Sequence, residues 1–107
     1  MADLVAMASD MVDACVQKDW TRAYDNADPK FVKGFTQFML TETWRQVRAV
    51  AGNFVEIKGA REYRHLLAPI RVVFLECQFE RLMVSVEVNF TAEDQILGLA
   101  LLTPGFE

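Results

Sequence analysis

Few side chains in this sequence can move a proton or hold a metal, and they are scattered. A carboxylate that interrupts an apolar strand face is one seed of acid–base chemistry, because burial raises its pKa toward the working pH. Glu76 has that setting: it follows Ile70, Val72 and Phe74 at every second position, with Gln78 after it. Tyr24 and Asp25, adjacent in the sequence, form a second candidate pair. His65, the single histidine, lies close to Tyr63 at the end of an expected strand. Each also has a plainer reading. Glu76 can be a rim residue paired with Arg71 or Arg81, His65 a loop histidine, and Tyr24 and Trp20 core aromatics with wet polar tips. Phe31, Phe35, Phe38 and Trp44 read first as core and second as walls of a ligand pocket. The pocket candidates are therefore Trp20, Tyr24, Asp25, Phe38, Trp44, His65 and Glu76.

No stronger chemical motif is present. The sequence shows no Ser/His/Asp set, no Gly-rich phosphate loop and no metal-ligand spacing. Cys15 and Cys77 lie far apart without a CxxC and read as two small buried apolar side chains. No cofactor and no metal is expected.

The elements that would position these residues follow from composition and period. With 107 residues the chain reads as one domain, 1–107, and 52% hydrophobic with 24% charged suits a packed globule. The net charge of −4 comes without any Lys/Arg run, so no nucleic-acid footprint is expected. No apolar run reaches the ~20 residues of a membrane helix. Met1-Ala2-Asp3 has no positive n-region, so the start does not read as a signal peptide and a cytoplasmic location is expected.

Leu4, Ala8, Met11 and Cys15 recur at helical spacing, with Val5, Val12 and Val16 widening the stripe and Lys18 near the C-terminal end, where a cation suits the dipole. Trp20, Ala23 and Tyr24 fit a short helix, and Asp25-Asn26 a turn. Asp28-Pro29 predicts a new helix start, the aspartate as cap and the proline in the first turn. Phe31, Phe35 and Phe38 then share one face, whereas Leu40, Trp44, Val47 and Ala51 share nearly the opposite one. A break near Leu40–Glu42, with Thr41 as N-cap, reconciles the two stripes, and Gly52 ends the helical run.

After Gly52 the period falls to two. "NFVEIKG" predicts a strand, with "AREYRHLLAP" as its continuation or a hairpin loop. "PIRVVFLECQF" places Val73, Leu75, Cys77 and Phe79 on one face. "LMVSVEVNF" turns Val84, Val86, Val88 and Phe90 inward, and Glu80-Arg81 joins these two strands through a turn of two residues or slightly more. The last strand, "QILGLALLT", has no wet face. Ile96, Gly98, Ala100 and Leu102 form one side, read as the inner one with room beneath Gly98 and Ala100; Leu97, Leu99 and Leu101 form the other. Keeping such a surface wet costs about 25 cal/mol per Å², so a helical layer on one side and a second copy of the chain on the other are expected. Helices before strands give an α+β class, with N-terminal helices on a curved antiparallel four-stranded meander.

The order of Phe35…Leu40-Thr41, Trp44-Arg45-Gln46-Val47, Gly52-Asn53-Phe54, strands ending in Phe79 and Phe90, and Ile96-Leu97-Gly98-Leu99…Pro104 resembles the nuclear transport factor 2-like (cystatin-like) fold over nearly the full length. More narrowly it resembles a family of small prokaryotic domains on that fold, often found beside hydrolase domains. Where that family often carries glycine, this chain has Glu80-Arg81 and Asp94-Gln95. The resemblance implies a cone with a central apolar pocket and homodimers through the sheet's outer face. It implies no one activity, since isomerases, dehydratases, hydrolases and proteins without chemistry share the fold. Three functions compete: a non-catalytic homodimeric module with an apolar pocket for a small organic ligand or for protein interaction; a small acid–base enzyme acting on an apolar substrate; and an accessory partner of a separate hydrolase or transporter. The absence of a catalytic set favours the first.

Overall fold

Four side-chain caps start four helices in the computed structural model, which describes residues 3–64 and 69–102. Asp3 accepts a hydrogen bond from the Ala6 amide at the head of α1 (Leu4–Val16), and Asp19 accepts from the Arg22 amide at α2 (Trp20–Ala23). Asp28 accepts from the Lys30 amide at α3 (Pro29–Gly34), and Thr36 from the Met39 amide at α4 (Gln37–Ala51). Each cap satisfies an amide that the first helical turn leaves unpaired.

The break between the two aromatic stripes is real but lies five residues earlier than the sequence predicts. It falls at Phe35–Thr36, and Thr36 is the cap. Thr41 sits inside α4, where its hydroxyl donates to the Gln37 carbonyl at 2.8 Å, the back-bonding open to a mid-helix threonine. Phe38 consequently points away from the Phe31 face and is 75% exposed.

The strands are β1 (Phe54–Arg64), β2 (Arg71–Phe79), β3 (Met83–Phe90) and β4 (Ile96–Leu102). They pair antiparallel in the order β1-β2-β3-β4, an open meander. The segment after Gly59 continues β1 to Arg64 rather than forming a loop. Val73, Leu75, Cys77 and Phe79 of β2 and Val84, Val86, Val88 and Phe90 of β3 are fully buried, as their alternation predicts. Leu4, Ala8, Met11, Val12 and Cys15 of α1 and Leu40 and Trp44 of α4 complete one core with them. Each large apolar side chain buried this way contributes roughly 1.5–3 kcal/mol. The α+β architecture is thus helices on a single face of an antiparallel sheet. Both cysteines are buried and unbridged within it.

The last strand faces the other way from the sequence reading. A register shift between Asn89 and Phe90 leaves Ile96 beside Phe90 but sets Leu99 beside Val88 and Leu101 beside Val86. Leu99 and Leu101 therefore pack on the core, and Gly98, Ala100 and Leu102 lie on the outer face opposite Asn89, Glu87 and Ser85. A Cβ at Gly98 would stand 2.9 Å from Asn89 Nδ2, so the glycine makes way for the neighbouring side chain rather than for a cavity.

The β2–β3 turn holds three residues, Glu80 to Leu82, and does structural work that a glycine could not. The Arg81 amide donates to the Ala51 carbonyl, and its guanidinium donates to the carbonyls of Val50 and Ala49. The Glu80 carboxylate accepts the Asn53 amide at 2.7 Å. The hairpin thereby caps the C-terminus of α4, where a cation suits the helix dipole. Gly52 passes between them with φ +87° and ψ −161°. In the β3–β4 turn Asp94 takes φ 62°, and Arg71 bonds both Asp94 and the Thr91 carbonyl.

Candidate functional site

The residues singled out in the sequence separate into three places. Glu76 lies on the outer face of the sheet, the surface away from the helices. Ser85 Oγ donates to its Oε2 at 2.9 Å, and Arg61 reaches its Oε1 at 3.5 Å. Its cation is thus Arg61 rather than Arg71, which pairs with Asp94, or Arg81, which caps α4. Arg61 also lies over the rings of Tyr63 and Phe74, which meet edge to face at 5.5 Å.

Tyr24 stands on the helical side of the sheet. Its hydroxyl donates to the Phe35 carbonyl at 2.5 Å, and its ring packs against Phe31 at 5.7 Å. Burial pushes its pKa up to about 12, so the phenol holds the α3–α4 break closed as a fixed donor. Asp25 is exposed in the turn after α2. His65 lies outside the described residues. Glu76, on one face of the sheet, and Tyr24, on the other, are not brought together.

Trp20 and Trp44 are brought together. They line one cleft between the start of α2 and the middle of α4, with Lys18, Thr41, Arg45 and Arg48. Its volume is about 150 Å³. Trp44 is buried and packs against Phe79 at 5.9 Å, so this wall is fixed by the core. Thr41, Arg45 and Arg48 recur every three or four residues along α4 and share its face with Trp44. That spacing, with a lysine two residues before a tryptophan, was the signal in the sequence; read alone, it looks like an ordinary wet helix face. Phe38 is one turn before Thr41 on α4 and is not among the lining residues.

The electrostatics of the cleft are cationic in an acidic chain. Arg45 grips Glu42 with two bonds, 2.7 and 3.3 Å, and this holds the Glu42 carboxyl below its usual range. Arg48 buries its Nε without a hydrogen-bond partner among the described residues. Lys18 occupies the position just past α1 where the chain turns left-handed, φ 60°. Its amide bonds the Cys15 carbonyl and the Asp19 amide bonds the Ala14 carbonyl, a helix ending in which glycine is the usual occupant. Thr41 is the cleft's one hydroxyl, and it donates to its own helix. The lining thus offers two indoles and three cations, suited to holding an anion with an apolar body rather than to attacking one. An apolar pocket was expected; this one is rimmed by charge.

A second, more open groove of about 230 Å³ runs between α3 and β4, lined by Phe31, Phe35, Leu97 and Leu99 among others. Among the described residues, no three side chains are placed to hold a metal ion and no helix is long and apolar enough to cross a membrane. No curated protein and no solved structure matches the sequence. One family model does, over residues 8–99, from within α1 to Leu99 of β4, and the chain therefore belongs to the family described as "Protein of unknown function (DUF3887)".

Proposed function

We propose that this chain is a non-catalytic binding module of the nuclear transport factor 2-like kind, which holds a small organic ligand in the Trp20–Trp44 cleft and pairs with a second copy through the outer face of its sheet. The cleft carries this reading: it joins two indoles to three cations, and no carboxylate or histidine is among its described lining residues. A catalytic reading needs a base and a nucleophile or acid within hydrogen-bond reach, whereas Tyr24 and Glu76 are each occupied on opposite faces of the sheet. The nuclear transport factor 2-like assignment is supported by the helices lying on one face of a four-stranded antiparallel sheet.

Pairing is supported by the composition of the outer face. Tyr63, Val72, Phe74, Ala100 and Leu102 give it apolar ground, and Arg61 and Glu76 lie among them as opposite charges. Self-complementary surfaces of this kind close by a two-fold axis. Sedimentation of the full chain at tens of micromolar is expected to show a dimer, and Val72→Lys is expected to convert it to a folded monomer. A monomeric wild-type chain removes the pairing half of the proposal. Dye-free thermal shift against a set of small organic anions and neutral rings tests the ligand half, since anything that binds the folded state alone raises its melting temperature.

A further inference from the structure

We infer that the ligand of the cleft is a small planar aromatic carboxylate, its ring against Trp20 and Trp44 and its carboxylate on Arg48 and Lys18. The inference rests on the reading of this cleft as the ligand site. Four observations point to it. The cleft's volume of about 150 Å³ is close to that of a cavity that accepts one benzene ring, and too small for a nucleotide. Its lining includes two indoles: half-buried Trp20 offers a ring an apolar surface, and Trp44, buried on Phe79, contributes only its edge as a fixed floor.

The charges are the second observation. Lys18, Arg45 and Arg48 stand around one small space although the chain as a whole is acidic, with a net charge of −4. Glu42 answers Arg45 alone. Lys18 and Arg48 make no ion pair among the described residues, and the Arg48 Nε is buried and unbonded. A guanidinium fork matches a carboxylate geometrically.

Lys18 is the third. It stands in the left-handed position that closes α1, where a side chain other than glycine carries strain. Glycine would close α1 without that strain; the lysine adds a cation, which suits the helix dipole and also stands beside the cleft.

The fourth is what the lining excludes. A neutral ring would leave Arg48 and Lys18 without a counter-charge. An inorganic phosphate would satisfy the cations and leave the Trp20 indole uncovered. A benzoate-like anion answers both requirements.

Trp20 and Trp44 are the only two tryptophans in the sequence, so intrinsic fluorescence reports directly on the cleft. The full-length chain is titrated with benzoate, acetate, benzyl alcohol and inorganic phosphate at one ionic strength. Saturable quenching by benzoate is expected, with acetate, benzyl alcohol and phosphate each at least about tenfold weaker. Arg48→Gln is expected to weaken benzoate about tenfold. Lys18→Gly is expected to weaken it several-fold while leaving the melting temperature unchanged or a few degrees higher, since glycine relieves the left-handed strain. That pairing of lost affinity with kept stability is not available to a merely structural lysine, and it stands even if Arg48→Gln fails to fold. If benzyl alcohol or phosphate saturates the cleft as tightly as benzoate, or if Lys18→Gly binds benzoate like the wild type, the carboxylate assignment falls while the cleft remains a ligand site. If none of the four probes binds, both the assignment and the site reading fall.

Discussion

Gly52 is where the helical layer meets the sheet, and replacing it with alanine tests how that joint is built. Its backbone, φ +87° and ψ −161°, lies in a region that is essentially glycine's alone, at a cost of about 1–3 kcal/mol for any other residue. An added Cβ would also stand 2.8 Å from Glu80 Cβ and 2.9 Å from Glu80 Oε1. The first of these atoms is tied to the hairpin backbone and cannot swing aside. Moving Glu80 would break its bond to the Asn53 amide, now 2.7 Å, a charge-assisted contact worth roughly 1–2 kcal/mol. The sum for Gly52→Ala is about 2–5 kcal/mol, a large share of the roughly 5–15 kcal/mol that holds a domain folded. Urea unfolding followed by circular dichroism measures it, with the midpoint falling and the slope unchanged. Glu80→Gly removes the opposing Cβ, so the double variant should lose about 1 kcal/mol less than the two single losses added together. A Gly52→Ala protein within about 1 kcal/mol of the wild type, or strict additivity with Glu80→Gly, would show that the joint relaxes freely and would refute the clamp described between α4 and the β2–β3 hairpin.

Tyr24→Phe should cost about 1 kcal/mol, because the Phe35 carbonyl at the α3–α4 break loses its donor; an unchanged urea midpoint would mean that the break is held by packing alone. Burial raises the folded pKa values of Cys15 and Cys77 from 9.0, and of Tyr24 from 10.0, to about 12. Groups raised in the fold stabilise it fully below their unfolded values and cease to do so as pH passes through the folded ones. The unfolding midpoint should therefore be level up to about pH 9 and fall steadily from there toward pH 12, and a midpoint that rises across that window would contradict the burial of these three groups. The same burial predicts that a thiol reagent at pH 8 labels neither cysteine of the native protein promptly and both after unfolding.

Much of the fold was readable because it follows from periodicity. The two-residue alternation of Val73, Leu75, Cys77 and Phe79, and of Val84, Val86, Val88 and Phe90, fixed the inner face of β2 and β3. The caps Asp28 and Gly52 were legible from residue type alone. Two features were not. Thr36 and Thr41 are equally good caps on paper, and the choice fell to Thr36 through contacts distant in sequence, including Tyr24 reaching the Phe35 carbonyl. The inner and outer sides of β4 were exchanged because both are apolar, so the sequence holds no contrast between them, and the register shift beside Phe90 decides the matter. Of the candidate site, the two tryptophans were visible as aromatics. Lys18, Arg45 and Arg48 were not, because a cation on a helix surface looks the same whether it faces water or a cleft.

The free border of the sheet at β1 bears on how the chain behaves in a crowded solution. The main-chain groups on the free side of this eleven-residue strand would offer a template for stacking strand upon strand. Two interruptions of the ladder, after Phe54 and after Ile57, bend the margin out of line, and Glu56, Lys58, Arg61, Glu62 and Arg64 stud it with charges of both signs. A straight, greasy neighbour finds no matching run of amides there, so the border stays open without seeding fibres.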